Sequence, residues 1–198
     1  MSYSYAVEQA IRAASVLHKD QVRKGKVPYP YVTHLFAVAM IVSDYTSDEN
    51  TIVAALLHDT LEDTDYTEAE LEDDFGGDVK DIVLSVTEPS LKTDDKSGVS
   101  EQKKQYLKQL KVASERALVV AAADKIHNMR SIVEEYYDNH SEFIADFGSS
   151  FDDRMYMYQE ISNTLNRNLK NAILSEFNSV FTEYKNFIQD VEKKRNEY

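Results

Sequence analysis

Six side chains of the kinds that bind metals or move protons recur at spacings that suggest one shared centre. His58-Asp59 is followed two residues later by Glu62-Asp63, while His34 and Asp124 stand in separate segments before and after. The His-Asp pair alone carries little, since five His and eighteen Asp in 198 residues give about half such a pair by chance. Its surroundings carry more. His34 opens the apolar run Leu35–Ser43, His58 closes Ile52–Leu57, and Asp124 interrupts Ala117–Ala123 with a charge. A carboxylate drawn into apolar surroundings is strongly disfavoured unless a cation or hydrogen bonds compensate it. Taken singly, each residue reads as a core histidine or a local cap. The four together favour a metal site, because two imidazoles and two carboxylates suit Mn²⁺, Fe²⁺, Zn²⁺ or Mg²⁺ and leave positions for water and substrate.

Glu62 follows Asp59 by three residues and His58 by four, and Asp63 follows Asp59 by four. On a helix both carboxylates then lie about one turn from the ligand, where they could orient or deprotonate a water or protonate a leaving group. Read blandly, they begin a solvated acidic stretch that continues through Asp65, Glu68, Glu70 and Glu72. Arg23-Lys24-Gly25-Lys26 is the one basic cluster before the C-terminal tail and lies in the segment leading to His34. In a chain of formal charge −13, a polyphosphate needs such local cations. Lys125 and Asn128 follow Asp124 by one and four residues, so Asn128 shares its face and can donate to a phosphate, sugar or base. Lys103 and Lys104 are weaker candidates, His127 a supporting or surface residue, and His18 and His140 structural or exposed.

The elements that must position these groups read as helices. Five Gly and three Pro in 198 residues are too few for a turn-rich β architecture, whose share of the two together is roughly 12% or more. Apolar residues recur at helical spacing between the Gly and Pro clusters. Val7, Ala10, Ile11, Ala14 and Leu17 line a first helix; Leu35 to Tyr45 forms a second, apolar nearly all round; a third begins near Ile52 and runs into the acidic segment. Thr67 and Glu70 form a capping-box pattern ahead of a short helix stopped by Gly76-Gly77, and Asp78 to Glu88 continues as a helix. Pro89–Val99 reads as a polar loop, Ser100 caps a helix ending near Lys111, and Ser114 to about Tyr137 is again central. The last segment puts Leu169, Ile173, Phe177, Val180, Phe181, Tyr184, Ile188 and Val191 on one stripe. The expectation is all-α: a helical domain over residues 1–165, with a C-terminal amphipathic helix over 166–198 that packs on that domain or on a second copy in a homodimer.

Composition narrows the chemistry. Cysteine is absent, which excludes disulfides, thiolate nucleophiles and thiolate metal sites. The acidic balance argues against a nucleic-acid partner. No apolar run reaches the length of a membrane span, and the first ten residues lack the pattern of a secretory signal. The expectation is therefore a cytoplasmic protein without a membrane partner.

The ordered segments Arg23-Lys24-Gly25-Lys26, Pro30-Tyr31-Val32-Thr33-His34, His58-Asp59-Thr60-Leu61-Glu62-Asp63, Phe75-Gly76 and Ala123-Asp124-Lys125-Ile126-His127-Asn128-Met129-Arg130 resemble the HD-domain hydrolases of the Rel/SpoT type. Among these (p)ppGpp pyrophosphohydrolases, the small single-domain members are the most similar. The resemblance runs from Arg23 to Arg130 and continues more weakly over 132–161, with Tyr156 and Tyr158. It implies an HD-domain helical bundle in which His34, His58, Asp59 and Asp124 bind one ion, Mn²⁺ by preference. Glu62 and Asp63 would activate water against a 3′-diphosphate, releasing pyrophosphate and GDP or GTP. Arg23 and Lys24, with Lys26, would contact base and phosphates, and Asn128 with Lys125 the nucleotide. Two departures stand out: the segment between Arg23-Lys24 and His34 is longer by about two residues, and Leu35 replaces the usual proline. A related purine alarmone, such as an adenosine one, as the substrate, a phosphatase acting on another nucleotide, such as NADPH or a deoxynucleotide, and a non-catalytic nucleotide-binding module remain alternatives.

Overall fold

A computed structural model of the chain describes residues 3–25, 27–89, 101–147 and 151–195, with the side chains of 151 and 152 excepted. Among the described residues every regular element is a helix, apart from one isolated bridge between Val22 and Pro30 that pinches off the basic loop. The order is α1 (Tyr5–Leu17), α2 (Val32–Tyr45), α3 (Glu49–Leu57), α4 (Thr60–Asp63), α5 (Glu68–Phe75), α6 (Gly77–Val86), α7 (Glu101–Val112), α8 (Glu115–Tyr136), α9 (His140–Phe147), α10 (Phe151–Asn168) and α11 (Ile173–Arg195). The all-α expectation holds. Lys26, Ser100 and the loop expected after Pro89 lie outside the described residues.

Local chemistry fixes the helix starts. Ser4, Asp48 and Ser114 accept hydrogen bonds from the backbone of Val7, Thr51 and Ala117, capping α1, α3 and α8. Thr67 and Glu70 make the reciprocal capping box that opens α5, and Gly76, at φ +85°, ends it. The three helices expected to be central are central. α2, α3 and α8 contact one another, α3 is buried on every side from Thr51 to Leu57, and α8 is buried continuously from Ala117 to Asp124. Short side chains at Ala54-Ala55 and Ala121-Ala122-Ala123 let these axes approach closely. α1 packs on α2 and α3, α6 on α3, α5 and α8, and α7 bridges α6 and α10.

The end of the third helix differs from the expectation. α3 does not run into the acidic segment; it stops at Leu57, and Thr60–Asp63 is a separate short turn of helix. The cause is side-chain competition for the last carbonyls: His58 Nδ1 lies 2.8 Å from Ala55 O, and Thr60 Oγ1 donates to Leu57 O at 2.6 Å. His58 and Asp59 therefore sit at a junction, not on a continuous face with Glu62. Glu62 and Asp63 keep their relation to Asp59 alone, whose carbonyl accepts from both their backbone N–H groups at 3.2 and 2.9 Å.

The C-terminal helix begins later than expected: residues 166–168 end α10, Leu169 lies in the link, and the rest of the apolar stripe belongs to α11, which packs along α8 with α10 beside it. Ile173, Phe177, Val180, Phe181, Tyr184, Phe187, Ile188 and Val191 are all buried within the single chain, so covering the stripe requires no second copy. Phe177 is fully enclosed. Phe177→Ala should lower unfolding free energy by about 3–5 kcal/mol, read as a reduced urea midpoint at unchanged slope.

Candidate metal centre and its cleft

The residues that sequence reasoning placed on separate helices converge. His34 comes from the first turn of α2, His58 and Asp59 from the α3–α4 junction, and Asp124 from the middle of α8. Asp59 Oδ2 lies 3.2 Å from His58 Nε2 and 3.6 Å from His34 Nε2; Asp124 Oδ1 lies 3.2 Å from His34 Nε2 and 3.7 Å from His58 Nε2. A six-coordinate divalent ion holds neighbouring ligand atoms roughly 3 Å apart. The donor atoms of His34, His58 and Asp59 all lie within 4.8 Å of one another.

The tautomers agree with such a role. His58 Nδ1 donates to the Ala55 carbonyl, which leaves the Nε2 lone pair aimed at the carboxylates. That Nε2 is buried and has no hydrogen-bond partner, as a metal ligand would be before its ion is counted. His34 Nε2 faces the same carboxylates, so its Nδ1 donates to His127 Nδ1 at 2.8 Å. His127 thus stands behind His34, in the supporting position the sequence reading favoured. His34, His58 and Asp59 at these distances could hold a divalent cation, with Asp124 Oδ1 beside both imidazoles but outside that mutual grouping.

Electrostatics point the same way. Burial works against charge on His58, but Asp59 and Asp124 outweigh it and raise it to about 9. Burial holds His34 below its ordinary value against the pull of Asp124, and burial with the neighbouring His34 and Arg23 pushes His127 down to about 4. Burial also opposes ionisation of Asp124, yet Lys125 and the two imidazoles hold it well below the usual carboxylate range. Protons and a metal compete for such a cluster, so a bound cation would displace the proton from His58.

Each carboxylate ligand has a second support. Lys125 Nζ takes the far oxygen of Asp124, Oδ2, at 2.7 Å, with Tyr106 beneath the ammonium at 5.7 Å. Asn128 Nδ2 donates to Asp124 Oδ1 at 2.5 Å, and Arg23 donates to Asn128 Oδ1 at 2.8 Å. Tyr31 donates to Asp59 Oδ2 at 2.6 Å; burial, together with the Asp59 charge, raises this hydroxyl and keeps it a donor. Of the two acids after the His-Asp pair, only Glu62 lines the metal chamber. The protein around its carboxyl pushes it up to about 7, against the Glu88 backbone N–H at 3.1 Å. Asp63 lies outside that lining and accepts from Gln21 Nε2 at 2.8 Å.

Three neighbouring hollows share walls here. The metal chamber, about 170 Å³, is lined by His58, Asp59, Glu62, Glu88, Lys125 and Asn128 among others. It shares Tyr31 and Asn128 with a chamber of about 760 Å³ between the basic loop and α8 to α10, where Arg23, Lys24, Tyr29, Phe147, Arg154 and Tyr158 gather. It shares Tyr106 and Lys125 with a third, about 220 Å³, carrying Lys103 and Arg154. Arg154, Tyr106, Tyr31 and Glu88 were not singled out by the sequence reading. The Arg154–Tyr158 spacing of four on an amphipathic helix was the available signal for α10. In the basic loop, Gly25 adopts φ +140° and a Cβ there would stand 1.9 Å from Glu135 Oε1, so this position is confined to glycine.

The HD domain family matches residues 10–146, and the chain belongs to it. Among its relatives is the guanosine-3′,5′-bis(diphosphate) 3′-pyrophosphohydrolase MESH1 of Xenopus tropicalis, 36% identical over 151 residues that cover 69% of this chain and 81% of that protein. A probable GTP pyrophosphokinase of Mycobacterium leprae is 36% identical over 126 residues, which make up 64% of this chain and only 16% of that much longer protein. Among solved structures, a metazoan ortholog of SpoT described as hydrolysing ppGpp superposes with a TM-score of 0.73 at 26% identity, covering 92% of this chain and 97% of its own.

Removing the support behind His34 tests the centre directly. His127→Ala should weaken Mn²⁺ binding by about 10- to 100-fold, measured by calorimetric titration of the metal into the stripped protein.

Proposed function

We propose that this protein is a metal-dependent 3′-pyrophosphohydrolase of (p)ppGpp, yielding GDP or GTP and pyrophosphate. The observation that carries the reading is that the His-Asp chamber shares walls both with an aromatic, arginine-bearing chamber and with a lysine- and arginine-lined one. A purine nucleotide has those two parts. Its base suits Arg23, Lys24, Tyr29 and Tyr158, with Asn128 at the ribose, while its phosphates suit Lys103, Lys125 and Arg154. Lys26 belongs to the same basic loop and is assigned there from sequence.

His34, His58, Asp59 and Asp124 would hold one divalent ion, to which we assign Mn²⁺ on its mixed nitrogen and oxygen donors. When bound, that ion supplies Lewis-acid polarisation of the phosphoryl oxygens and a lowered pKa for water. Glu62 lines the same chamber and takes the proton of the attacking water. The water oxygen adds to the phosphorus bonded to O3′, the P–O3′ bond breaks, and the 3′-oxygen leaves with the proton that Glu62 took from the water, which restores the carboxylate. Asp63, expected from the sequence to share that work, lies outside the chamber on Gln21 and instead holds the short α4 turn that carries Glu62. Residues 1–165 carry this machinery and 166–198 buttress α8. The substrate is a small nucleotide and the setting cytoplasmic, with no nucleic-acid or membrane partner; no helix among the described residues is long and apolar enough to cross a membrane. A homodimer would use a face other than the covered stripe of α11.

Purified protein with Mn²⁺ should convert ppGpp to GDP and pyrophosphate, chelation should stop the reaction, and Asp59→Ala should abolish it. Glu62→Gln should reduce kcat by about 10²- to 10⁴-fold. Intact ppGpp alongside turnover of NADPH or a deoxynucleotide would move the assignment to another nucleotide; tight binding with no turnover would make it a binding module.

The pH dependence has a defined sign. Glu62 must be ionised to accept a proton, so activity falls as pH drops through its pKa. That value is about 7 without a metal, and a neighbouring cation lowers it. The acid limb of kcat/KM should therefore lie below pH 7 and vanish in Glu62→Gln, as a pH–rate series would read.

A further inference from the structure

We propose that His18 is a positioning residue for the metal centre, bracing Asp59 through the ring of Tyr31 and Asp63 through the amide of Gln21. The inference rests on the roles given above to those two acids. His18 closes α1, outside the ligand set, and is 2% exposed. Its Nδ1 lies 2.6 Å from Gln21 Oε1, and Gln21 Nε2 lies 2.8 Å from Asp63 Oδ2. An ionised carboxylate only accepts, so the amide nitrogen must face Asp63 and the amide oxygen His18. His18 Nδ1 therefore carries the proton and donates.

The other ring nitrogen, Nε2, is buried without a hydrogen-bond partner, a cost that an apolar residue at this position would avoid. What the imidazole offers against that cost is its Nδ1–H and its flat face. That face stacks on Tyr31 at 5.3 Å between centroids and 22° between planes. The Tyr31 hydroxyl in turn reaches Asp59 Oδ2, the oxygen that lies 3.2 Å from His58 Nε2. One side chain thus steadies a ligand oxygen by stacking and a neighbouring acid by hydrogen bonding, and the two routes can be cut separately.

The test uses the full chain, with Mn²⁺ as the probe, its affinity read from the electron-paramagnetic-resonance signal of the free ion, and kcat for ppGpp measured in parallel. His18→Phe keeps a ring against Tyr31 and removes the Nδ1–H. It should hold the Mn²⁺ Kd within about threefold and lose roughly tenfold in activity that excess Mn²⁺ does not restore. His18→Asn keeps an N–H in the place of Nδ1 and removes the ring. It should raise the Mn²⁺ Kd about tenfold, with an activity loss that excess Mn²⁺ does restore. Gln21→Leu should follow the first pattern and Tyr31→Phe the second.

Unchanged Kd and kcat in all four variants, or equal loss of both quantities in all four, would overturn the brace. Should the His18 variants fail to fold by circular dichroism, Gln21→Leu and Tyr31→Phe decide alone, since the first deletes both hydrogen bonds of the amide route, the second the one hydroxyl bond to Asp59, and both leave the imidazole in place. The Kd of Tyr31→Phe needs no substrate. If wild-type protein binds Mn²⁺ but leaves ppGpp intact, the functional reading fails while a weakened Tyr31→Phe still supports the Asp59 brace. Turnover of ppGpp together with an unaltered Tyr31→Phe Kd overturns the brace and leaves the function standing.

Discussion

Two carboxylates enclosed where apolar helices meet set the terms for the rest of this molecule. Asp124 follows seven buried residues of α8 and is itself 8% exposed, and Asp59 faces it across two imidazoles. Charge in such a place must be answered locally. Lys125 answers for one oxygen of Asp124, and Tyr31 and Asn128 donate to the oxygens turned inward. A buried nitrogen of His58 is still left without a hydrogen bond. A divalent cation would complete that account, which explains why this polar cluster lies in the core and not at its edge.

The same demand shapes the backbone. α3 ends where His58 and Thr60 take over the carbonyls of Ala55 and Leu57, and this termination turns His58 and Asp59 into the cavity. The sequence pattern showed which helices are central, because apolar runs at a period of 3.6 report burial directly. It could not show the stop after Leu57, since that stop depends on side-chain hydrogen bonds that compete with a helix the residues would otherwise continue. The four proposed ligands were legible because each is a polar residue set in an apolar run. Arg154 and Tyr106 were not, because a residue lining a cleft from α10 or α7 resembles any other on an amphipathic helix. Asp63 was read together with Glu62 on spacing alone, and the short α4 turns the two apart.

Charge in the cleft is sorted against the grain of the whole chain. With a formal charge of −13, the surface at large repels polyphosphates. Arg23, Lys24, Lys103, Lys125 and Arg154 are drawn from the basic loop, α7, α8 and α10 to the walls of three adjoining hollows. The cations are thereby gathered along one cleft, and two acids, Glu62 and Glu88, line the same chamber as the His-Asp cluster.

Gly25 and Glu135 lie 110 positions apart in the sequence and fill one space in the fold. The constraint is one-sided: the positive φ strains any side chain at residue 25, whereas Glu135 meets that space only with the end of a flexible chain that can turn away. Redrawing this corner of the basic loop therefore starts from the backbone turn at residue 25 and not from the carboxylate across it.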